Sequence, residues 1–350
     1  MDINQSRFLK TCRGESTDIT PVWLMRQAGR YMAEYRELRK KYGILDIIRN
    51  PELSCEVTMM PIKQFELDAA IIFSDILPPL TSIGLNLEYV KGEGPLIDNP
   101  IRGMEDVNKL NWCDPRESMS STIAAIKLVN KELSPKNIPL IGFAGAPFTL
   151  ASYAIEGMGG TKRLLLKQFM YEREDAWHKL MDLLSKISGE YLLAQAEAGA
   201  HALQLFDSWV GELSPQDYRR YVMPYSKKSI EIAKKAKVPI VHFGTGTAGI
   251  LKDMHSCGAD VLGLDWRIEM PTVRSLVGED VVLQGNLDPA LLFAPKEVIT
   301  RCVHEILDQN KGQGKHIFNL GHGIMPNTPI SNVAHLIQEV HSYAQRDAHV

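Results

Sequence analysis

An apolar run that ends in Gly, Asp, Asn or Arg and gives way to a helical pattern recurs along this chain. It limits the fold more than any other feature. Eight such runs stand at residues 21–25, 69–73, 139–143, 202–206, 239–243, 261–264, 281–283 and 316–320. Strands buried on both faces read this way, as in parallel sheets with helices laid on each side. A single short run suits a buried helix segment equally well. The patterns between the runs strengthen the strand reading. Residues 174–199 are long and amphipathic, 215–236 and 295–309 carry charge on one face, and 331–345 closes the chain. Strand and helix alternating eight times in 350 residues predict an α/β fold, a (β/α)8 TIM barrel with insertions. An open doubly wound sheet is the alternative. It usually shows a glycine-rich phosphate loop after the first strand, and here two arginines stand there instead.

Residues 81–116 break the rhythm. They hold Gly84, Gly92, Gly94, Pro95, Pro100 and Pro115, with the alternating stretch Leu85-Asn86-Leu87-Glu88-Tyr89-Val90. The expectation is a hairpin-bearing insertion after strand two. In a barrel of this kind, connections that follow strands lie on the face that carries the chemistry.

Composition excludes several classes. The chain is 23% charged and 45% hydrophobic, an ordinary globular balance. A net charge of −3 suggests no nucleic-acid surface, so any affinity for anions comes from local clustering. Five scattered cysteines with no CxxC suggest free thiols in a reducing cytoplasm. The first ten residues, MDINQSRFLK, lack the apolar core of a secretory signal. No apolar stretch approaches the roughly 18 to 20 residues that a membrane span needs. A cytoplasmic protein that binds neither nucleic acid nor membrane is expected.

The strand ends hold the polar groups. After the first run comes Arg26-Gln27-Ala28-Gly29-Arg30. Arginine offers forked donors and stays charged, which suits planar anions. Four-residue spacing would put both heads on one face if the segment were helical. Ala28 and Gly29 leave room for a large ligand near the backbone. Ser74-Asp75 follows the second run, and Gly145-Ala146-Pro147 the third, with Tyr153 a few residues on. Then come Asp207-Ser208, Gly244-Thr245-Gly246, Asp265, Gly285-Asn286 and Gly321-His322-Gly323. No lysine or cysteine directly ends a run, which weighs against a Schiff-base aldolase. His255 and Cys257 precede the sixth run, at the wrong end for chemistry, and no second thiolate lies near in sequence for zinc. Each residue also has a plain structural reading. Asp75 or Ser208 could cap a helix, Tyr153 could be a buried ring, and Asp207, His242 and Asp265 read as structural.

The longest of these stretches, PVWLMRQAGRYMAEY at 21–35, resembles the N-terminal signature of the uroporphyrinogen decarboxylase family. GFAGAPFTLASY at 142–153 resembles the family's second signature. FSDIL at 73–77, FDS at 206–208 and NLGHG at 319–323 are similar to family motifs in the same order. The resemblance spans essentially all 350 residues. It implies one (β/α)8 barrel domain over 1–350, usually a homodimer, with no metal or prosthetic group. It implies removal of carbon dioxide from the four acetate side chains of uroporphyrinogen III, giving coproporphyrinogen III in haem biosynthesis. Substrate contacts then map onto Arg26, Gln27, Ala28, Gly29, Arg30, Asp75, Tyr153, Ser208 and His322, with Arg26, Arg30 and Asp75 closest to catalysis.

The chemistry asks for such residues. Loss of carbon dioxide leaves a carbanion that most enzymes delocalise into a cofactor. A pyrrole protonated on a ring carbon is its own electron sink. An ionised Asp75 would accept pyrrole N–H groups and stabilise the developing positive ring. Tyr153 and Ser208 would orient side-chain carboxylates, and His322 would donate to one or shuttle protons near neutral pH. The rival reading is a zinc-dependent methyltransferase acting between a thiol and a corrinoid on the same barrel. It wants a thiolate near the fifth turn and another near the eighth strand, and neither position has cysteine.

Overall fold

Seven of the eight apolar runs pair into one curled parallel sheet in this computed structural model, which describes residues 2–90, 94–158, 163–310 and 314–346. The strands in chain order are β1 (Ala70–Ile71), β2 (Leu87–Val90), β3 (Gly94–Ile97), β4 (Leu140–Gly145) and β5 (Ala202–Asp207). Then follow β6 (Ile240–Gly244), β7 (Val261–Gly263), β8 (Val282–Leu287) and β9 (His316–Leu320). The parallel order is β1-β4-β5-β6-β7-β8-β9. β2 and β3 form a separate antiparallel pair, with Leu87 opposite Ile97 and Val90 opposite Gly94. Gly92, expected in that turn, lies outside the described residues.

The first run departs from expectation. Residues 21–25 form no ladder, only a parallel bridge from Val22 to Phe318. The cause is a shortage of free backbone donors. Pro21 has no N–H. The Leu24 N–H goes to Gln27 Oε1 at 3.1 Å, and the Met25 N–H goes to Asn319 Oδ1 at 3.0 Å. The segment still closes the gap in the sheet. Phe318 N–H donates to Pro21 O at 2.8 Å on one side, and Asp68 N–H donates to Val22 O at 2.9 Å on the other.

Inside the barrel, Trp23, Ile141, Val241, Phe243, Val282 and Ile317 form one apolar cluster with Phe8, Leu9 and Cys12. These last three lie on the helix Arg7–Cys12, which stops the barrel from below. Every second residue of β6 points inward, the strand period that puts Val241 and Phe243 on one face. Three polar side chains among them are linked in a row. Trp23 Nε1 donates to Gln284 Oε1, and Gln284 Nε2 donates to Gln204 Oε1, both at 3.0 Å. Most buried polar groups have such partners.

Most helices fall where the pattern put them, among them Glu174–Glu197, Lys296–Asp308 and Ile330–Arg346. The stretch 215–236 is not one helix. It breaks into Pro215–Asp217, a wide π turn at Tyr218–Val222, and Met223–Ala233. Pro224 has no N–H to return to the preceding turn, and a widened turn accommodates the missing bond.

The hairpin is pinned to the helix Pro147–Glu156 that follows β4. Ile97 N–H donates to Gly157 O at 2.7 Å, and Ile101 N–H donates to Ala154 O at 2.8 Å. The Arg102 guanidinium caps the Ile155 carbonyl. Asn99 ties the hairpin's own base, accepting from Asn86 N–H and donating to Gly84 O.

Candidate active site

The expected site residues follow the C-terminal ends of their strands, so the topology sets them at one end of the barrel. Arg26 comes just after the 21–25 segment. Its segment is not helical; the helix starts only at Ala33. Arg26 itself holds a left-handed backbone, φ 59°. The argument that spacing puts Arg26 and Arg30 on one helix face therefore fails. A left-handed non-glycine residue is a costly conformation that surrounding structure must impose. Gln27 imposes much of it. It is 1% exposed, takes the Leu24 N–H on Oε1, and donates from Nε2 to Ala69 O at 3.2 Å. Its own carbonyl accepts the Tyr31 hydroxyl at 2.6 Å. The Gln27 side chain is thus committed to holding the loop against the start of β1.

Gly29 and Gly323 make room for Arg26. A Cβ on Gly29 would lie 3.1 Å from the Arg26 carbonyl, and one on Gly323 would lie 2.6 Å from Arg26 Cγ. Ala28 is half-buried against the neighbouring core. Arg30 is exposed, and its carbonyl accepts from Arg36 at 3.0 Å.

Asp75 follows β1. Its Oδ1 accepts the Leu77 N–H at 3.0 Å. Burial pushes its carboxyl above the ordinary range, opposed by the Leu77 N–H, the Tyr89 hydroxyl and the Arg26 charge. Its charge is felt in turn by Tyr35, Tyr89, Tyr153 and Tyr191. Tyr153 rides on Pro147–Glu156, half-buried, edge-on to Trp209 at 6.2 Å between ring centroids. Burial raises its phenol, and both Asp75 and Arg26 act on it. Ser208 follows β5; its carbonyl accepts the Thr245 hydroxyl at 2.5 Å.

His322 differs from expectation in its chemistry. Its Nδ1 accepts the Gly323 N–H at 2.7 Å, which leaves Nε2 to carry the proton. Burial, with the charges of Arg26 and Arg267, pushes its pKa down to about 4. Near pH 7 this favours the neutral ring, with its proton on Nε2. Arg26 thus acts on Asp75, Tyr153 and His322 alike, and these four share one site.

The residues read as structural make the following contacts. Asp207 accepts the Thr149 hydroxyl at 2.9 Å, tying β5 to the helix that carries Tyr153. His242 stands 3.9 Å from its other oxygen, both fully buried. Asp265 accepts the Gly246 N–H at 2.6 Å and pairs with Arg267, so that turn's amide is already engaged. Cys257 lies behind the barrel wall, 3.5 Å from the Tyr218 hydroxyl. Among the described residues, no three His, Cys, Asp or Glu side chains converge as metal ligands would.

Sequence reasoning missed Tyr89 and Arg267. Tyr89 stood in plain view in the alternating stretch, on the same face as Leu87, but alternation alone does not say what that face covers. Arg267 lies two residues past Asp265, a spacing with no signal of its own.

Together these features define the class: a parallel α/β barrel whose chemistry-bearing side chains follow its strand ends. A methyltransferase from Methanosarcina mazei shares that architecture, with a TM-score of 0.79 over 96% of this chain and 98% of that one; at 20% identity the likeness is one of fold. The family model described as Uroporphyrinogen decarboxylase (URO-D) matches residues 4–343. A Chloroflexus aggregans protein named uroporphyrinogen decarboxylase is 52% identical over 97% of this chain and 96% of its own. One of the same name from Thermus thermophilus is 50% identical over 97% and 99%. The chain belongs to the uroporphyrinogen decarboxylase family.

Proposed function

We propose that this chain decarboxylates the four acetate side chains of uroporphyrinogen III to methyls, giving coproporphyrinogen III for haem biosynthesis. The observation that carries the reading is the meeting of Asp75 and Arg26 in one site, the Arg26 charge acting on the partly buried carboxyl. The full-length family match supports it.

Arg26 and Arg30 bind substrate carboxylates through charge-assisted hydrogen bonds. Asp75 accepts the pyrrole N–H groups. Burial alone favours its neutral form, and arriving N–H donors favour the ionised one. A carboxyl so poised is better suited to hold and return a proton than an ordinary surface aspartate. His322 presents Nε2–H as a fixed neutral donor, and Tyr153 presents a phenol that stays protonated. Ser208 orients a side-chain carboxylate. Four similar pyrroles around one central acceptor allow one site to serve four acetates in rotated poses. The protonated ring takes the electrons released with each carbon dioxide.

The protein works in this reading as one barrel domain, as a homodimer in the cytoplasm. Five unpaired cysteines support a reducing compartment. Among the described residues, no helix is long and apolar enough to cross a membrane.

The test is anaerobic incubation with uroporphyrinogen III, followed by oxidation and separation by carboxylate number. A ladder of products down to coproporphyrin supports the reading. An unchanged substrate peak with folded protein overturns it.

A further inference from the structure

One hydroxyl ties together the two walls that carry Tyr153 and Ser208. Thr149 lies in the first turn of the helix Pro147–Glu156 and is fully buried. Its Oγ1 donates to Asp207 Oδ1 at 2.9 Å and accepts the Trp209 N–H at 3.4 Å. Asp207 ends β5 and Trp209 stands just beyond it, so the bonds straddle Ser208. The other Asp207 oxygen makes no hydrogen bond among the described residues, and His242 stands 3.9 Å from it. Thr149 is therefore the donor on which the Asp207 side chain depends there.

The contacts close a ring. Tyr153 follows Thr149 one turn later on the same face of the helix. Its ring is edge-on to the Trp209 indole, 6.2 Å between centroids, and the Trp209 N–H returns to Thr149. The Arg163 guanidinium covers the indole, 3.9 Å from the ring centroid. Bonds on either side steady the frame. Ala146 N–H donates to Phe206 O at 2.8 Å, and the Thr245 hydroxyl donates to Ser208 O at 2.5 Å. A hydroxyl suits the central place, because it gives its proton to the carboxylate and keeps lone pairs for the amide. Without it, two buried groups lose their partner and the turn after β5 is no longer tied to the helix.

We propose that Thr149 is a positioning residue: its hydroxyl fixes the spacing of Tyr153 and Ser208, so that both reach side-chain carboxylates of one substrate molecule together. The role in substrate binding rests on the decarboxylase reading. The hold of Thr149 on Trp209 does not.

Two substitutions separate this role from plain packing. Thr149→Val keeps the shape and removes the hydroxyl, whereas Thr149→Ser keeps the hydroxyl and removes a methyl. Both lose stability, the first through unpaired groups and the second through a small cavity. At the site they diverge. In the valine variant KM for uroporphyrinogen III rises roughly tenfold, the scale of one lost hydrogen bond, while kcat changes little. The serine variant restores KM to near the wild-type value. A wild-type KM in the valine variant, or equal losses in both, overturns the proposal. Failure of the wild-type protein to form product overturns the functional reading instead. A second readout needs no turnover. With 5-fluorotryptophan at the five tryptophans, the Trp209 fluorine resonance is assigned through Trp209→Phe. It shifts or broadens in the valine variant and stays in place in the serine variant. An unmoved resonance in the valine variant overturns the proposal. If the valine variant does not fold, Thr149→Ala leaves room for a water beside Asp207 while the direct tie is still lost. It then takes the place of valine in both measurements, with the same expected and opposing outcomes.

Discussion

Gly323 and Arg26 are packed so closely that a methyl group at 323 would overlap the Arg26 side chain, 2.6 Å from Cγ and 2.9 Å from Nε. Residues almost 300 apart in sequence thus fix one guanidinium. The contact joins the loop after the first segment to the loop after β9; Asn319 takes the Met25 N–H, and Ile324 N–H donates to Met25 O at 2.9 Å.

Gly323→Ala therefore displaces the Arg26 guanidinium with little change in fold, since the arginine side chain can yield where backbone cannot. The expected result is a near-normal melting temperature with a rise in KM for uroporphyrinogen of roughly tenfold or more, as for loss of a charged hydrogen bond. A normal KM would show that Arg26 need not be held where it is.

Asp75→Asn removes the charge and keeps the shape. The Leu77 N–H still finds an oxygen, so the fold survives. Turnover falls roughly a hundredfold or more, the scale of losing one electrostatic stabiliser of the transition state. Steady-state kinetics against circular dichroism check both halves. Activity within a few-fold of wild type would remove Asp75 from the centre of the mechanism.

The fold was largely legible because buried parallel strands leave a local mark, the unbroken apolar run ending in a turn residue. The 21–25 segment shows the limit. Its apolar pattern matched a strand, yet its backbone donors are taken by Gln27 and Asn319, one of them distant by almost the whole chain. Periodicity has no access to such captures. The same holds at the site. Arg26, Asp75, Tyr153 and His322 were readable from their places after strands. The neutral state of His322 was not, because it depends on burial and on the charges of Arg26 and Arg267. Tyr89 was hidden for a related reason: only the docking of the hairpin brings it to Asp75.

Acid should destabilise the protein through its buried histidines, above all His316 and His322, with His201 shifted the same way. His316 and His322 both have folded pKa values lowered to about 4 from an ordinary 6.5, chiefly by burial. The unfolded chain binds their protons first, so their contribution to stability is full above about 6.5 and is lost as pH falls through 4. Asp75, raised in the fold, works in the opposite sense, favouring the native state as pH falls toward its unfolded value. The histidines outnumber it in the window from 6.5 to 4. Urea unfolding at stepped pH should show stability falling across that window, with uptake of roughly two protons on unfolding. His316→Gln and His322→Gln should each flatten the slope. A flat wild-type profile would mean that neither ring is held neutral.

Asn319 carries the last prediction. It is fully buried on β9, and its Oδ1 accepts two backbone donors, Met25 N–H at 3.0 Å and Leu320 N–H at 2.8 Å. Asn319→Leu is similar in size but leaves both donors buried without a partner, at a cost of about 1–3 kcal/mol each. Part of that cost falls on stability, visible as a lower urea midpoint. The rest falls on Arg26, whose segment loses its tie to β9. Asn319→Asp keeps the acceptor and should restore most of the turnover that the leucine variant loses. Equal losses in both variants would show that the amide's neutrality or its Nδ2 donor, rather than its acceptor, holds the arginine loop in place.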